Sequence, residues 1–332
     1  MAGFPGGARS CGVTVFAVIG LLAAACGTAR EHGASAGQPA SRDGGYQPEP
    51  DPGRALGRHQ VDHRADPESR LSILEAPMPA RDTAAVVTGI ERRLREAGNP
   101  ARAAAERAYL KSGMEFAGAT VPDTRRIVRA LLPRRPTLPR DDLLAVVAGL
   151  WARPPFECRH AAVMLLTDHV EALAPADAAL VERLIRESGT WALVDVLAAA
   201  VMGRLAERYP ELTAVLDRWA ADGDFWVRRA ALLALLGPLR RGDGDFARFG
   251  RYADMMLTER EFFVRKAIGW VLRDTGRRRP DLVAAWLEPR IGRVSGVTLR
   301  EAVKPLPPEA AARLLAAYRT RPRASAHDLP RS

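Results

Sequence analysis

One short pattern recurs along the chain at a nearly constant interval. Phe156-Glu-Cys-Arg159-His160-Ala161, Phe225-Trp-Val-Arg228-Arg229-Ala230 and Phe262-Phe-Val-Arg265-Lys266-Ala267 share the form F-x-x-R-x-A, and each leads into apolar residues at helical spacing. Trp191-Ala-Leu-Val194-Asp195-Val196 is a degenerate copy that fills the gap, so the anchors fall at 156, 191, 225 and 262, with steps of 35, 34 and 37. A unit of this length is one pair of helices, too small to bury its own apolar face, so such units must stack on their neighbours.

The chain from Thr83 onward is rich in Ala, Leu and Arg and poor in β-branched runs, with Pro and Gly gathered at breaks such as Leu132 to Pro139 and Gly242 to Gly244. It carries neither the WxxLGxxY pattern of tetratricopeptide repeats nor the TPLH of ankyrin repeats. The expected fold is therefore all-α, a HEAT-like helical repeat solenoid (an α-α superhelix) with a concave basic groove. Its expected extent is 78–320, followed by a flexible tail over 321–332.

Residues 1–77 read differently. They hold 12 Gly and 7 Pro and lack helical periodicity beyond residue 26, too little apolar matter to offset the entropy of ordering them. Within them Val13 to Ala25 is an apolar run of signal-peptide length that ends in small residues before Cys26, as a bacterial lipoprotein signal does, and it is too short to span a membrane. The other reading makes Met78 the true initiator and residues 1–77 a disordered or mistranslated extension.

Charge separates the same two parts. Residues 1–77 sum to −1, whereas 78–332 hold 42 basic against 31 acidic residues, a balance that attracts polyanions. Only Lys111, Lys266 and Lys304 among the 49 basic residues are lysines. Three scattered cysteines and six scattered histidines form neither a disulfide framework nor a metal-ligand pattern, so no metal and no cofactor is expected.

The position after the motif Arg holds His160, Asp195, Arg229 and Lys266 in successive units. Equivalent places on equivalent helices should line one face. Trp191 lies four residues before Asp195 and Trp270 four after Lys266, which puts each pair on one helix side. Each residue has a structural alternative: both indoles could be core anchors like Phe156, Phe225 and Phe262, and either Arg228 or Arg229 could make a structural bond. Asp195, in the apolar run Trp191 to Met202, needs a partner or a task.

The stretches Glu261-Phe-Phe-Val-Arg-Lys-Ala-Ile-Gly-Trp270-Val-Leu-Arg273, Asp224-Phe-Trp-Val-Arg-Arg229, Thr190-Trp191-Ala-Leu-Val-Asp195 and Ala108-Tyr109-Leu-Lys111 resemble the AlkD family of HEAT-repeat DNA glycosylases over roughly residues 82 to 318. The resemblance implies that Asp195 is the catalytic aspartate and that Trp191 and Trp270 contact the lesion nucleotide. It also implies that Arg229 lies near the DNA backbone and Tyr109 in the same cleft. Lys266 and Lys111 join Arg229 as expected DNA-binding cations. Thr190 and Ala192 stand where the family often has Trp and Asp, which bears on substrate range.

The implied activity is hydrolysis of the N-glycosidic bond of cationic N3- or N7-alkylated purines in duplex DNA. The implied protein is a cytoplasmic, nucleoid-associated monomer without an obligate protein partner. An exported lipoprotein anchored at Cys26 is the alternative location. A non-catalytic HEAT-like scaffold for nucleic acid or protein is the alternative function; it would gain nothing from a carboxylate in a basic groove.

Overall fold

The computed structural model describes residues 80–132 and 138–321, and their regular elements are all helical. The apolar run at 13–25, Cys26 and the tail beyond 321 lie outside the described residues. Helices α1 (Ala80–Glu96), α2 (Pro100–Leu110) and α3 (Val121–Leu131) come first. Helix pairs follow: α4 (Arg140–Trp151) with α5 (Phe156–Asp168), then α6 (Ala178–Glu187) with α7 (Trp191–Val196). Helix α7 continues through a π-helical stretch, Leu197–Met202, into α8 (Gly203–Arg208). The next pairs are α9 (Thr213–Ala220) with α10 (Phe225–Ala234) and its extension α11 (Leu236–Arg241), and α12 (Phe246–Met255) with α13 (Phe262–Gly276). The last are α14 (Pro280–Leu287) with α15 (Gly296–Ala302), and α16 (Pro308–Thr320) ends the described chain. The described residues belong to one compact unit.

Local chemistry explains where these helices start and stop. Asn99, Thr120, Thr190, Asp224, Asp245 and Ser295 cap α2, α3, α7, α10, α12 and α15, each side chain accepting from a backbone N–H of the first turn. Thr190, where the resembled family often has Trp, thus has a structural role here. Gly242, at φ 98°, closes α11 in the left-handed conformation that only glycine takes without strain.

The repeat is written into the hydrogen bonds. Trp151 Nε1 donates to Glu187 36 residues on, Arg186 to Asp222 over 36, Trp219 Nε1 back to Glu182 over 37, Tyr252 to Asp217 over 35, and Arg290 to Asp254 over 36. Each bond joins one helix pair to the next at the period of the sequence motif. The second helices follow in series, α5 against α7, α7 against α10, α10 against α13 and α13 against α15.

The motif residues divide the work. Ala161, Ala230 and Ala267 are fully buried, where a larger side chain would force neighbouring helices apart. The motif arginines bond to main-chain carbonyls: Arg228 to those of Asp222 and Gly223, Arg265 to that of Glu259, and Arg159 to that of Glu187. They fasten helix starts to loops or to the following unit.

The aromatic anchors are less uniform than the pattern implies. Phe156 is buried, Phe225 is half-buried, and Phe262 is 54% exposed, so Phe262 is not the core anchor that its motif position suggests. Its neighbour Phe263 takes the inward place instead, 5.0 Å from the Trp226 ring, while Trp226 in turn lies 4.6 Å from Phe225. In α13 it is the second aromatic residue, not the first, that meets the neighbouring repeat.

Candidate active site

Asp195 lies in a helix that is buried on every side. From Ala192 to Gly203 each residue is buried, and a carboxylate there must be paired. Its partner is Arg229, 34 residues on: Nε donates to Oδ1 at 2.7 Å and Nη2 to Oδ2 at 2.8 Å, a two-pronged fit of guanidinium to carboxylate. The side chains are 6% and 3% exposed. Arg229 Nη1 also donates to the main-chain oxygen of Phe263, and its guanidinium lies 5.9 Å from that ring. One arginine therefore ties α7, α10 and α13 together.

The sequence reading sets Arg229 against a DNA phosphate. In the structure its guanidinium is instead buried and engaged on two sides, and this departure follows from the period itself, which brings position 229 directly over position 195. The π-helical stretch begins two residues after Asp195, and such widened turns often accompany functional sites.

Both indoles fall between the core and solvent, each half-buried and packed on the core from one side. Trp191 meets the Tyr109 ring edge-on, with centroids 6.1 Å apart at 82°, and Tyr109 is 52% exposed at the end of α2. Lys111 follows immediately, exposed and in the left-handed conformation that ends α2. Thus Tyr109 and Trp191, separate in sequence, form one aromatic edge.

Trp270 donates its Nε1 proton to Asp274 Oδ2 at 3.2 Å, one turn along α13. That oxygen also accepts from Arg240 Nε at 2.9 Å and Nη2 at 2.6 Å across one repeat period. The indole plane is therefore pinned through Asp274 by Arg240. Neither Asp274 nor Arg240 is legible from the motif, although D and R separated by 34 residues is the signal to look for.

Lys266 Nζ lies 2.5 Å from Glu301 Oε1. Glu301 also accepts from Lys304 and Arg273, and the three cations outweigh the effect of burial, which raises a carboxyl, holding its pKa at about 2. Glu301 extends the polar line by a fifth rung. Its segment Val297-Thr-Leu-Arg300-Glu301-Ala302 keeps R-x-A of the motif 35 residues after Lys266, with Val in place of Phe, and its Ala302 is fully buried like the other motif alanines. The missing Phe hid this copy from the sequence reading.

His160, the first rung, is buried against Phe156, ring centroids 6.0 Å apart and nearly parallel. Burial, with Arg125 nearby, pushes its pKa down to about 4. Position along the line therefore runs from a neutral imidazole through the Asp195–Arg229 pair to the Lys266–Glu301 cluster.

Among the described residues no group of three or more His, Cys, Asp or Glu side chains could hold a metal ion, and no helix is long and apolar enough to cross a membrane. A family model described as DNA alkylation repair enzyme matches residues 90–306. A solved structure from Enterococcus faecalis, described as a predicted DNA alkylation repair enzyme, aligns with a TM-score of 0.55 at 22% identity, covering 62% of this chain and 95% of that one. At that identity the likeness is one of fold. No curated protein matches the chain. With the family match running through every rung from His160 to Glu301, the chain belongs to the DNA alkylation repair enzyme family.

Proposed function

We propose that this protein is a DNA glycosylase that hydrolyses the N-glycosidic bond of purines bearing a cationic alkyl group at N3 or N7 in duplex DNA. The observation that carries the reading is a carboxylate, Asp195, set by one bidentate arginine on an otherwise apolar, buried helix, one turn from the half-exposed Trp191.

Alkylation places positive charge on the base, so the base leaves without a general acid. The demand on the protein is to stabilise the sugar as it becomes oxocarbenium-like. A fixed carboxylate does this by charge and can orient the attacking water, as in glycoside hydrolysis. Each carboxylate oxygen has two lone pairs, and the Arg229 fork takes one from each, leaving acceptor capacity on the far side. Arg229 is here a positioning residue for Asp195. Trp191, held by Tyr109, and Trp270, held by Asp274, would present indole faces to the sugar cation, each worth roughly 0.5–2 kcal/mol.

Lys266 and Lys111 are the proposed phosphate contacts, which give affinity that depends on salt and not on sequence. The reaction as proposed requires no metal or cofactor, and the proposed setting is the cytoplasm, on the nucleoid, as a monomer.

A non-catalytic scaffold for nucleic acid or protein is the second reading. It is favoured by the engagement of both Asp195 oxygens, since an ion pair that only joins two repeats has that same geometry. Base release from methylated duplex DNA separates the two. The wild type is expected to release the alkylated base, and Asp195→Asn to lose most of that release while still binding duplex. Release of 7-methylguanine by Asp195→Asn at the wild-type rate overturns the assignment. A wild type that binds duplex and releases nothing is the scaffold.

A further inference from the structure

The last rung of the polar line holds more cations than its acid can neutralise. Glu301, 7% exposed, accepts from Lys266 Nζ at 2.5 Å and Lys304 Nζ at 2.9 Å on the same oxygen, Oε1, and from Arg273 Nη1 at 2.5 Å on Oε2. Arg273 also reaches Asp274 at 3.4 Å, but Asp274 is already paired with Arg240. The side chains of Lys266, Lys304 and Arg273 are 40%, 55% and 25% exposed, whereas that of Glu301 is 10% exposed. Three positive groups thus open to solvent over one buried negative group.

The packing that makes this possible is specific. At Gly269 a Cβ would sit 2.8 Å from Glu301 Cβ and from the Thr298 main-chain oxygen, so the absence of a side chain there lets α15 approach α13 and brings Glu301 in beside the turn that carries Trp270. Lys266 is one turn before Trp270 on α13, and Arg273 nearly one turn after it. The cations bracket the indole along the helix.

Residue choice adds to the geometry. Arginine fills 46 of the chain's 49 basic positions, yet two of its three lysines meet on one carboxylate oxygen. An ammonium is a compact charge with three donors, so two of them can share one oxygen and still have donors to offer, which two planar guanidinium forks cannot do as readily. Two ammoniums so close repel each other unless a second anion shares the load.

We propose that Lys266, Lys304 and Arg273 form a cradle for one backbone phosphate of DNA beside Trp270, with Glu301 as the positioning residue that gathers the three cations before DNA arrives. The proposal rests on the DNA reading above. Gathering them in advance removes the entropy of ordering long flexible side chains at the moment of binding. A phosphodiester offers two non-bridging oxygens that share its charge, which suits cations converging from α13 and from the turn after α15.

The test is binding of a labelled undamaged duplex over a range of salt, for the wild type, Lys266→Gln, Lys304→Gln and the double variant. Lys304 is more than half exposed, so its variant is expected to keep the wild-type urea midpoint. Lys304→Gln is expected to weaken binding roughly three- to tenfold near physiological salt, equally for damaged and undamaged duplex. Because all three cations serve one phosphate and Arg273 still faces it, the double variant should lower the slope of log K against log salt by no more than about one, where two separate phosphates give about two. Wild-type affinity in Lys304→Gln, or a slope change of about two in the double variant, overturns the cradle. If the wild type itself binds duplex without salt dependence, it is the DNA reading that fails.

Discussion

Two rungs of the same line make opposite use of the same spacing. Asp195–Arg229 and Lys266–Glu301 each join equivalent positions of adjacent helix pairs, 34 and 35 residues apart. The first is one acid with one base, both almost wholly buried, and the arginine is drawn further inward by the Phe263 carbonyl. The second is one acid with three bases, all three of which reach solvent. A closed pair fixes geometry and offers little net charge, whereas an open cluster offers net charge. The proposed chemistry needs both: a carboxylate held still where the sugar cation develops, and positive charge where phosphates pass.

The largest effect expected from breaking this contrast is on the closed pair. Arg229→Ala leaves the Asp195 carboxylate buried without a partner and should cost about 3–5 kcal/mol of stability. Urea unfolding measures it, and an unchanged midpoint means that Asp195 is more open than its burial indicates.

The first rung supplies a pH test of nearly the same size. His160 is neutral in the folded chain, its pKa pushed down to about 4, while the unfolded chain protonates near the ordinary histidine value of about 6.5. The unfolded state binds more protons between these values, so stability is full above about pH 6.5 and falls as pH drops toward 4, by about 3 kcal/mol in all. Urea midpoints from pH 7 to 4 should show this slope in the wild type and a flatter one in His160→Leu. Parallel curves would place the titration elsewhere.

Gly269→Ala acts between the two extremes. Its Cβ has Glu301 Cβ and the Thr298 carbonyl in its way, so α13 and α15 must separate, at about 1–3 kcal/mol. If the close approach also sets the cation cluster, the same variant weakens duplex binding; a loss of stability with duplex binding intact would separate the packing from the cluster.

The smallest change is expected at the open rung, where Lys266→Ala removes a partly exposed ion pair worth less than about 1 kcal/mol, because Arg273 and Lys304 still satisfy Glu301. A loss as large as that of Arg229→Ala would erase the distinction between the rungs.

Much of the architecture was legible in advance, for a physical reason that particular residues show. The F-x-x-R-x-A spacing marked the helix pairs because a small residue must recur wherever second helices touch, and Ala161, Ala230 and Ala267 are fully buried there. Asp195 stood out because a charge in an apolar run is costly without a partner. The identity of that partner was less legible: Arg228 and Arg229 are neighbours, and only the helix face decided that Arg228 turns to the loop carbonyls and Glu259 while Arg229 turns to Asp195. Phe262 and Phe263 pose the same problem, and the structure reverses the expected order of burial.

The sequence by itself determined an all-α chain of helix pairs with a period near 35, the basic character of residues 78–332, and the line of polar residues from His160 to Lys266, because all three follow from local spacing and composition. The tertiary structure decided how that line is wired: Arg229 buried on Asp195, Glu301 gathering three cations, and Trp270 pinned by Asp274 and Arg240. Spacing places residues on a face, but which acid meets which base depends on the rotation and separation of helices that lie more than thirty residues apart, and that is set by packing at positions such as Gly269.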